Sequence, residues 1–380
     1  MAATQRPAAL DDRVALAHDF FVQDGGAERC ATELARLFPS ARVYTSFFDA
    51  PTFADRLDPA RVRTWRLQGP LAGRRFRSLL PLYPLYFSTL DLRRAELVVS
   101  SSVAFAKAVR TSSRALHVSY IHTPMRYAWG LDDYLRSSSY PPPTRVAARL
   151  IRPGLAAWDR LTARRPDVLV ANSETVRGRI RRLWGRQAQV IYPPVDTGEF
   201  ALSTRDDGYL LVASRLLAYR RLDLAVEAAT RLGRDLVVVG NGPERRRLES
   251  VAGPSVRFTG HLPRAELVEL FSRCHAYVVP GEEDFGIAAV EAMASGKPII
   301  ALDRGGATET VVDGVTGVLF GSPSSGSLAE AMERLDSLAF DATSIRDHAL
   351  KFDRQVFFEA WRGLLVSHGV AAELYSPAVA

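Results

Sequence analysis

The 380-residue sequence has only two cysteines, Cys30 and Cys274, each inside an apolar pattern and far from the other. A disulfide framework is thereby excluded, a cysteine metal cluster finds no support, and a reducing cytoplasm is the compartment that fits. No apolar run reaches membrane-spanning length, and the opening MAATQRPAALDDR lacks the apolar core of a secretion signal. A soluble protein, or one resting peripherally on the inner face of the plasma membrane, is expected. Short-period repeats and low-complexity tracts are missing too, which argues against a solenoid or a disordered chain. Lysine is scarce, so nearly all of the 49 basic charges are arginine, and against 42 acidic residues they leave +7. That balance suits phosphates or acidic lipid headgroups. No recognisable nucleic-acid module accompanies it, and nucleic acid is not expected as a partner.

What is present is alternation. RVALAHDFF, ARVYTS, ELVVSSS, ALHVSYIH and DVLVANS read as strands, with helical patterns among them at 25–38, 144–163 and 174–184. After AQVIYPPVDTGEF, where Pro193 and Pro194 interrupt either element type, the series restarts. GYLLVAS, DLVVVGNGP, VRFTG, HAYVVPG, KPIIALD and VTGVLF then alternate with helices at 221–232, 243–252, 264–274, 286–295 and 325–338. Strands alternating with helices build parallel sheets covered on both faces, so the expected fold class is α/β, two doubly wound Rossmann-like domains. The expected division is 1–192, 193–350, and a last helix with a frayed tail at 351–380. In that helix Val356, Phe357, Trp361, Leu364 and Leu365 are spaced to form the packing face.

In GEEDFGIAAVEAMASGKPII, Gly281 to Ile300, a strand yields to a helix and two glutamates stand eight positions apart. Open α/β sheets bind ligands at the carboxyl ends of their strands. Glu283 would lie in that loop and Glu291 about a turn and a half into the helix, each able to accept hydrogen bonds from sugar or ribose hydroxyls. The helix-start amides near Phe285, Gly286 and Ile287 would face the same crevice and attract anions. Arg215 follows the strand GYLLVAS, with Arg220 and Arg221 beyond a short loop. Fixed guanidinium groups there would stabilise a charged leaving group more than its ground state. Taken one at a time, these pieces also read as a solvated acidic loop and a basic helix start.

Together they resemble a known family. EDFGIAAVE resembles the E-x7-E signature of retaining GT-B glycosyltransferases (group 1, family 4), and EAMASGKPIIALDRGGATETV extends the likeness. SRLLAYRRLDLAVEA is similar to the family segment in which an arginine, and a lysine five residues later, hold a nucleotide diphosphate. Arg220 stands at the lysine position here with Arg221 beside it, and which of the two meets phosphate is left open. QDGGAER, with Gly25 and Gly26, resembles the loop of the first domain that approaches the same phosphates. HTPMRYAW resembles the mannosyltransferase branch, which implies that His122 touches the transferred sugar opposite Glu283; by itself His122 also reads as a histidine capping the strand or hydrogen-bonded in the core. Arg126, Tyr127, Trp129 and Asp133 could line the acceptor side, since aromatic faces stack on sugars, though tryptophan is also a frequent core residue. HLPRAEL matches the nucleobase loop in position, with His261 and Leu262 reading the base, guanine or uracil.

The resemblance implies the GT-B arrangement, with 1–192 binding the acceptor, 193–350 binding the nucleotide sugar across a cleft, and the 351–380 helix packing back on the first domain. It implies a hexosyltransferase with no required metal, moving mannose from GDP-mannose onto a lipid-linked or glycan acceptor in cell-envelope or exopolysaccharide synthesis. A UDP-sugar donor, or a non-catalytic nucleotide-sugar-binding subunit, are the alternatives. GRRFRSLLPLYPLYFSTL, residues 73–90, mixes arginines with leucines and aromatics. It reads either as peripheral contact with an anionic membrane or as a buried segment with a solvated arginine edge.

Overall fold

A computed structural model describes residues 10–66, 68, 79, 81–136 and 142–376. The chain forms two wholly parallel sheets. The first contains β1 (Val14–His18), β2 (Arg42–Thr45), β3 (Val62–Thr64), β4 (Leu97–Ser102), β5 (Leu116–Ile121), β6 (Val168–Ala171) and β7 (Gln189–Val190), in the order β3-β2-β1-β4-β5-β6-β7. The second contains β8 (Leu210–Ala213), β9 (Leu236–Val239), β10 (Val256–Gly260), β11 (Ala276–Val279), β12 (Ile299–Leu302) and β13 (Gly317–Phe320), in the order β10-β9-β8-β11-β12-β13. In both, the strand order reverses beside the first strand, and the crevice outside such a switch point is where ligands bind.

Central strands of these sheets are apolar on both faces because helices cover both. Along β1, Val14 and Leu16 join one cluster while Ala15 and Ala17 join the cluster on the opposite face. Along β8, Leu210 and Val212 face one core and Leu211 the other. This two-sided burial explains why the longer strands were readable as continuous apolar runs. β3 and β7, three and two residues long, carry no such run and escaped the sequence reading. The helix Ala342–Ala349 escaped it as well.

The helix Arg354–Ser367 starts at Asp353, whose side chain accepts from the Gln355 amide. It returns to the first sheet: Phe357, Phe358, Trp361, Leu364 and Leu365 pack with Val14, Leu16 and Leu97. Val356, expected inward, is exposed, and Phe358 takes the inward place. Positions 357, 358, 361, 364 and 365 form one continuous stripe at helical spacing, and 356 falls outside it.

Within 73–90, residues 73–78 and 80 lie outside the described part of the chain. From 81 onward the expected exposed aromatics are not exposed. Tyr83 and Phe87 are fully buried on the short helix Tyr83–Thr89, packed with Phe47 and Phe105. Burying such rings removes far more apolar surface from water than burying a leucine does, so the helix turns them inward and leaves Leu82 and Leu85 outside.

Trp361 is fully buried between the last helix and the first sheet. Trp361→Ala is expected to cost about 3–5 kcal/mol of stability, measured as a lower denaturant midpoint.

Candidate active site between the two sheets

Each expected site segment leaves the carboxyl end of a strand. Residues 214–221 follow β8, 261–263 follow β10, 280–286 follow β11, and in the first domain residues 19–25 follow β1 and 122–125 follow β5. The two sheets present these ends to each other, as the contacts between them show. A Cβ on Gly26 would fall 2.9 Å from Ile287 Cδ1, so the start of the first domain's first helix lies directly against the Ile287 side chain of the helix Ile287–Ala294. Two residues on, Glu28 lies near enough to Arg215 to feel its charge, and Arg29 Nη1 donates to Glu291 Oε1 at 3.1 Å. Consecutive residues of one helix therefore meet Arg215 and Glu291. Glu283, in the loop before the Ile287–Ala294 helix, lies near Glu291, since both carboxylates act on the buried Tyr277 phenol.

The loop after β11 is held from below by backbone. A Cβ on Gly281 would fall 2.6 Å from the Arg220 carbonyl, which lets the 219–220 turn lie directly on the acidic loop. The Gly306 amide donates to the Glu283 carbonyl at 2.8 Å. In this seat Glu283 forms an ion pair with Arg220. Burial works against the Arg220 charge, but the Glu283 carboxylate and the Tyr219 phenol outweigh it and hold its pKa above the ordinary arginine value. Asp284 crosses to the first domain, accepting from Arg126 Nη2 at 2.5 Å and from Arg179. Burial pushes the Asp284 carboxyl up, yet the two guanidinium groups more than offset this and its pKa lies below the usual range. Arg126 also stands 4.9 Å from the centre of the Tyr219 ring. Glu309 completes the bridge, accepting from the Glu174 and Thr175 amides at 2.7 and 2.8 Å at the start of the helix Glu174–Trp184.

His122 is buried just past β5, its Nε2 hydrogen-bonded to Ser101 Oγ at 2.8 Å, and the same hydroxyl lies 3.1 Å from His18 Nδ1. Burial, then the neighbouring His18, push the His122 pKa down to about 3, and burial takes His18 down to about 4. Both rings are neutral at neutral pH and act as hydrogen-bonding groups rather than cations. Asp284 is close enough to oppose the shift at His122, so this histidine faces the acidic loop across the cleft. Behind His18, the Asp19 carboxylate accepts from four successive amides, Val103 to Ala106, at 2.6 to 3.0 Å. It fixes the segment after β4 against the segment after β1.

Several expectations change here. Arg221 does not join Arg220. Its backbone is left-handed, with φ 53°, and its guanidinium turns to Asp223 at 3.2 Å on the helix it precedes. The role expected of Phe285 rests on its backbone amide and stands apart from its side chain, which is core, packed with Tyr192 and Phe352. Its neighbour Gly286 turns the chain with φ 98°, so the helix begins at Ile287. Trp129 gives its indole N–H to Asp159 at 2.7 Å, as does Trp184, and the other oxygen of Asp159 pairs with buried Lys107 at 2.7 Å. A buried indole donor needs an acceptor, and Asp159 supplies it away from the cleft. Tyr127 is stacked near Phe105. The Asp133 side chain lies outside the described part of the chain. Exposed His261 and half-buried Leu262 sit in the loop after β10. Arg264, two residues on, reaches Glu291 Oε1 at 2.8 Å and Glu199 at 2.6 Å, which draws the loop toward Glu291.

Arg29, Arg126, Arg179, Arg264 and Asp284 thus carry much of the charge pairing in the cleft. Of these only Arg126 was nominated, since partners on other segments of the chain leave no local pattern. Chemically, the cleft offers carboxylates for hydroxyl groups and guanidinium forks for phosphate oxygens. Among the described residues, no group of three or more His, Cys, Asp or Glu is placed to hold a metal ion.

Two family models match in tandem: "Glycosyltransferase Family 4" over residues 24–199 and "Glycosyl transferases group 1" over 199–346. A GDP-mannose-dependent alpha-mannosyltransferase of Mycolicibacterium smegmatis is 32% identical over 206 residues, covering 51% of this chain and 48% of that protein. A glycogen synthase of Mycobacterium tuberculosis is 31% identical over 173 residues, covering 41% and 42%. The chain thus spans about half the length of the curated relatives it matches. In fold, HepE of Anabaena, solved with UDP-glucose, superposes with a TM-score of 0.69 over 93% of this chain and 99% of that one, at 21% identity.

Buried Glu28 has its pKa raised by burial, with some contribution from Asp24, to about 8, against 4.5 ordinarily. Between those values the folded protein binds the extra proton, so this group's contribution to stability falls as pH rises through that window. Glu28→Gln is expected to flatten the decline in melting temperature between about pH 5 and pH 8, followed by thermal unfolding across a pH series.

Proposed function

We propose that this chain, which belongs to the group 1 and family 4 glycosyltransferases and has their GT-B fold, moves a hexose with retention of configuration from a nucleotide sugar to a lipid-linked or glycan acceptor. GDP-mannose is the donor we put first. The observation that carries the reading is the seat of Arg220 against Glu283, with Arg215 and Glu291 on the same edge of the second sheet. In this reading Arg220 and Arg215 take the donor's diphosphate. Negative charge grows there as the glycosidic bond breaks, and preoriented guanidinium groups stabilise it most when it is greatest. Glu283, released from Arg220 by the incoming phosphates, accepts from the sugar hydroxyls, and Glu291 accepts from the ribose. Neutral His122 meets the sugar from the first domain. No side chain is assigned as a covalent nucleophile; the leaving phosphate itself takes the proton of the attacking hydroxyl on the same face. Glu283 is then an orienting group, not the acid of a paired-carboxylate hydrolase.

The preference for GDP-mannose is supported by the likeness of HTPMRYAW to the mannosyltransferase branch and by the mycolicibacterial relative. A UDP-sugar is the second reading, favoured by the UDP-glucose held by the Anabaena protein of the same fold. Incubation with a panel of labelled GDP- and UDP-sugars and a membrane lipid extract decides between them. Label entering lipid from GDP-mannose supports the first reading, label from a UDP-sugar replaces it with the second, and donor binding without turnover on any acceptor points to a non-catalytic subunit.

The two neighbouring arginines separate in the same assay. Arg220→Ala is expected to lower kcat by about 100-fold, whereas Arg221→Ala, whose partner is Asp223, stays close to the unmodified enzyme. Equal losses in both would contradict the assignment of phosphate to Arg220.

A further inference from the structure

The helix Pro142–Thr162 is anchored along one side and bare along the other. Leu155, Ala156 and Trp158 pack on the first domain's core, and Asp159 and Thr162 are buried. The opposite side is apolar. Leu150 is 76% exposed, Leu161 65% and Val146 56%, and Ile151 adds 50% on the flank. At 100° per residue, Val146, Leu150, Ala157 and Leu161 fall on one ridge, which runs about 22 Å from end to end. Arg145, Arg149, Arg152 and Arg160 fall together on one shoulder of that ridge. The only acid in the helix, Asp159, is buried against Lys107. Arg149 and Arg152 share a single exposed carboxylate, that of Asp132, at 3.2 and 3.7 Å.

A second element extends the apolar surface. Trp158 Nε1 donates to Ser88 Oγ at 3.2 Å, which lays the helix Tyr83–Thr89 alongside on the Ile151 flank. One turn before Ser88, Leu85 is 64% exposed, with Leu82 beside it at 43%. Exposed apolar side chains from two elements form a larger patch than a solitary surface leucine, and such patches mark interaction surfaces.

We infer that this ridge docks the protein on an anionic lipid bilayer, Leu150, Leu161, Val146 and Leu85 entering the headgroup–acyl boundary while Arg145, Arg149 and Arg152 lie among the phosphates. The surface is a protruding ridge, not a groove, and its positive charge runs parallel to the apolar line, the form an interfacial helix takes on a plane of negative headgroups. The Leu82–Leu85 part of this surface falls within the 73–90 segment singled out in the sequence, whereas the helix Pro142–Thr162 lies outside it. Docking does not depend on which sugar is transferred. Among the described residues no helix is long and apolar enough to cross a membrane, and surface docking requires none.

The test is sedimentation of the full chain with phosphatidylcholine vesicles and with vesicles containing phosphatidylglycerol. Binding to the anionic vesicles that weakens as salt is raised is expected. Two double variants, Leu150→Asp with Leu161→Asp and Arg145→Gln with Arg149→Gln, should each weaken it by about tenfold or more. Retained heat stabilisation by GDP or UDP would show that the variants are folded. Failure of the unmodified protein to bind anionic vesicles, or undiminished binding by both variants, overturns the inference. So does light scattering that shows a dimer split by the leucine variant, since the ridge would then cover a second copy. Vesicle binding without sugar transfer would sink the enzymatic reading and leave the docking intact; transfer to a water-soluble acceptor without vesicle binding would do the reverse.

Discussion

A carboxylate taken out of water must find a cation or give up its charge, and the cleft is organised around that demand. Glu282, Glu283 and Asp284 stand in a row on one loop, and each has an arginine partner: Arg179, Arg220, and Arg126 with Arg179. Three successive acids in one loop would repel one another and spread the strand end. Spread among three guanidinium groups on two domains, they instead hold the loop in one position and tie the domains together. The seat beneath depends on Gly281 and Gly306, where backbone from neighbouring loops comes too close for any side chain.

The same logic extends along the cleft. Glu291 is shared by Arg29 and Arg264, and Glu309 caps a helix of the opposite domain through its backbone amides. These contacts join loops at the carboxyl ends of two parallel sheets, the place where doubly wound folds gather ligand-binding groups. In the proposed reaction the donor's diphosphate enters as a new partner for arginines already matched to acids. It exchanges one set of charge-assisted hydrogen bonds for another, so the guanidinium groups are preoriented and little reorganisation remains for the chemical step. Arginine suits this arrangement better than lysine, because one planar fork reaches two acceptors at once, as Arg179 does with Glu282 and Asp284.

Away from the cleft, arginine has other duties. The buried Lys107–Asp159 pair with its two indole donors fixes the inner side of the helix Pro142–Thr162, which leaves the arginines and leucines of the other side facing outward. One helix thereby joins the charged core of the first domain to an apolar exposed ridge.

By itself the sequence determined the alternation of strand and helix, the restart after Pro193 and Pro194, and the placement of Glu283, Arg215 and His122 at strand ends. Local pattern suffices for these, since burial on both faces writes a continuous apolar run and every parallel strand must be followed by a turn. Strands of two or three residues were too short to write one. Tertiary structure alone decided which partner each charge takes. Arg220 and Arg221 are adjacent in sequence and equally basic, yet a left-handed backbone at Arg221 sends one to Asp223 and leaves the other facing Glu283. Trp129 looked like a stacking platform, but Asp159, thirty residues on, takes its N–H and the Arg160 guanidinium lies 4.7 Å over its ring. Pairings such as Arg29 with Glu291 or Arg126 with Asp284 join residues 262 and 158 positions apart, and a distance that exists only after two sheets have docked leaves no trace in residue spacing.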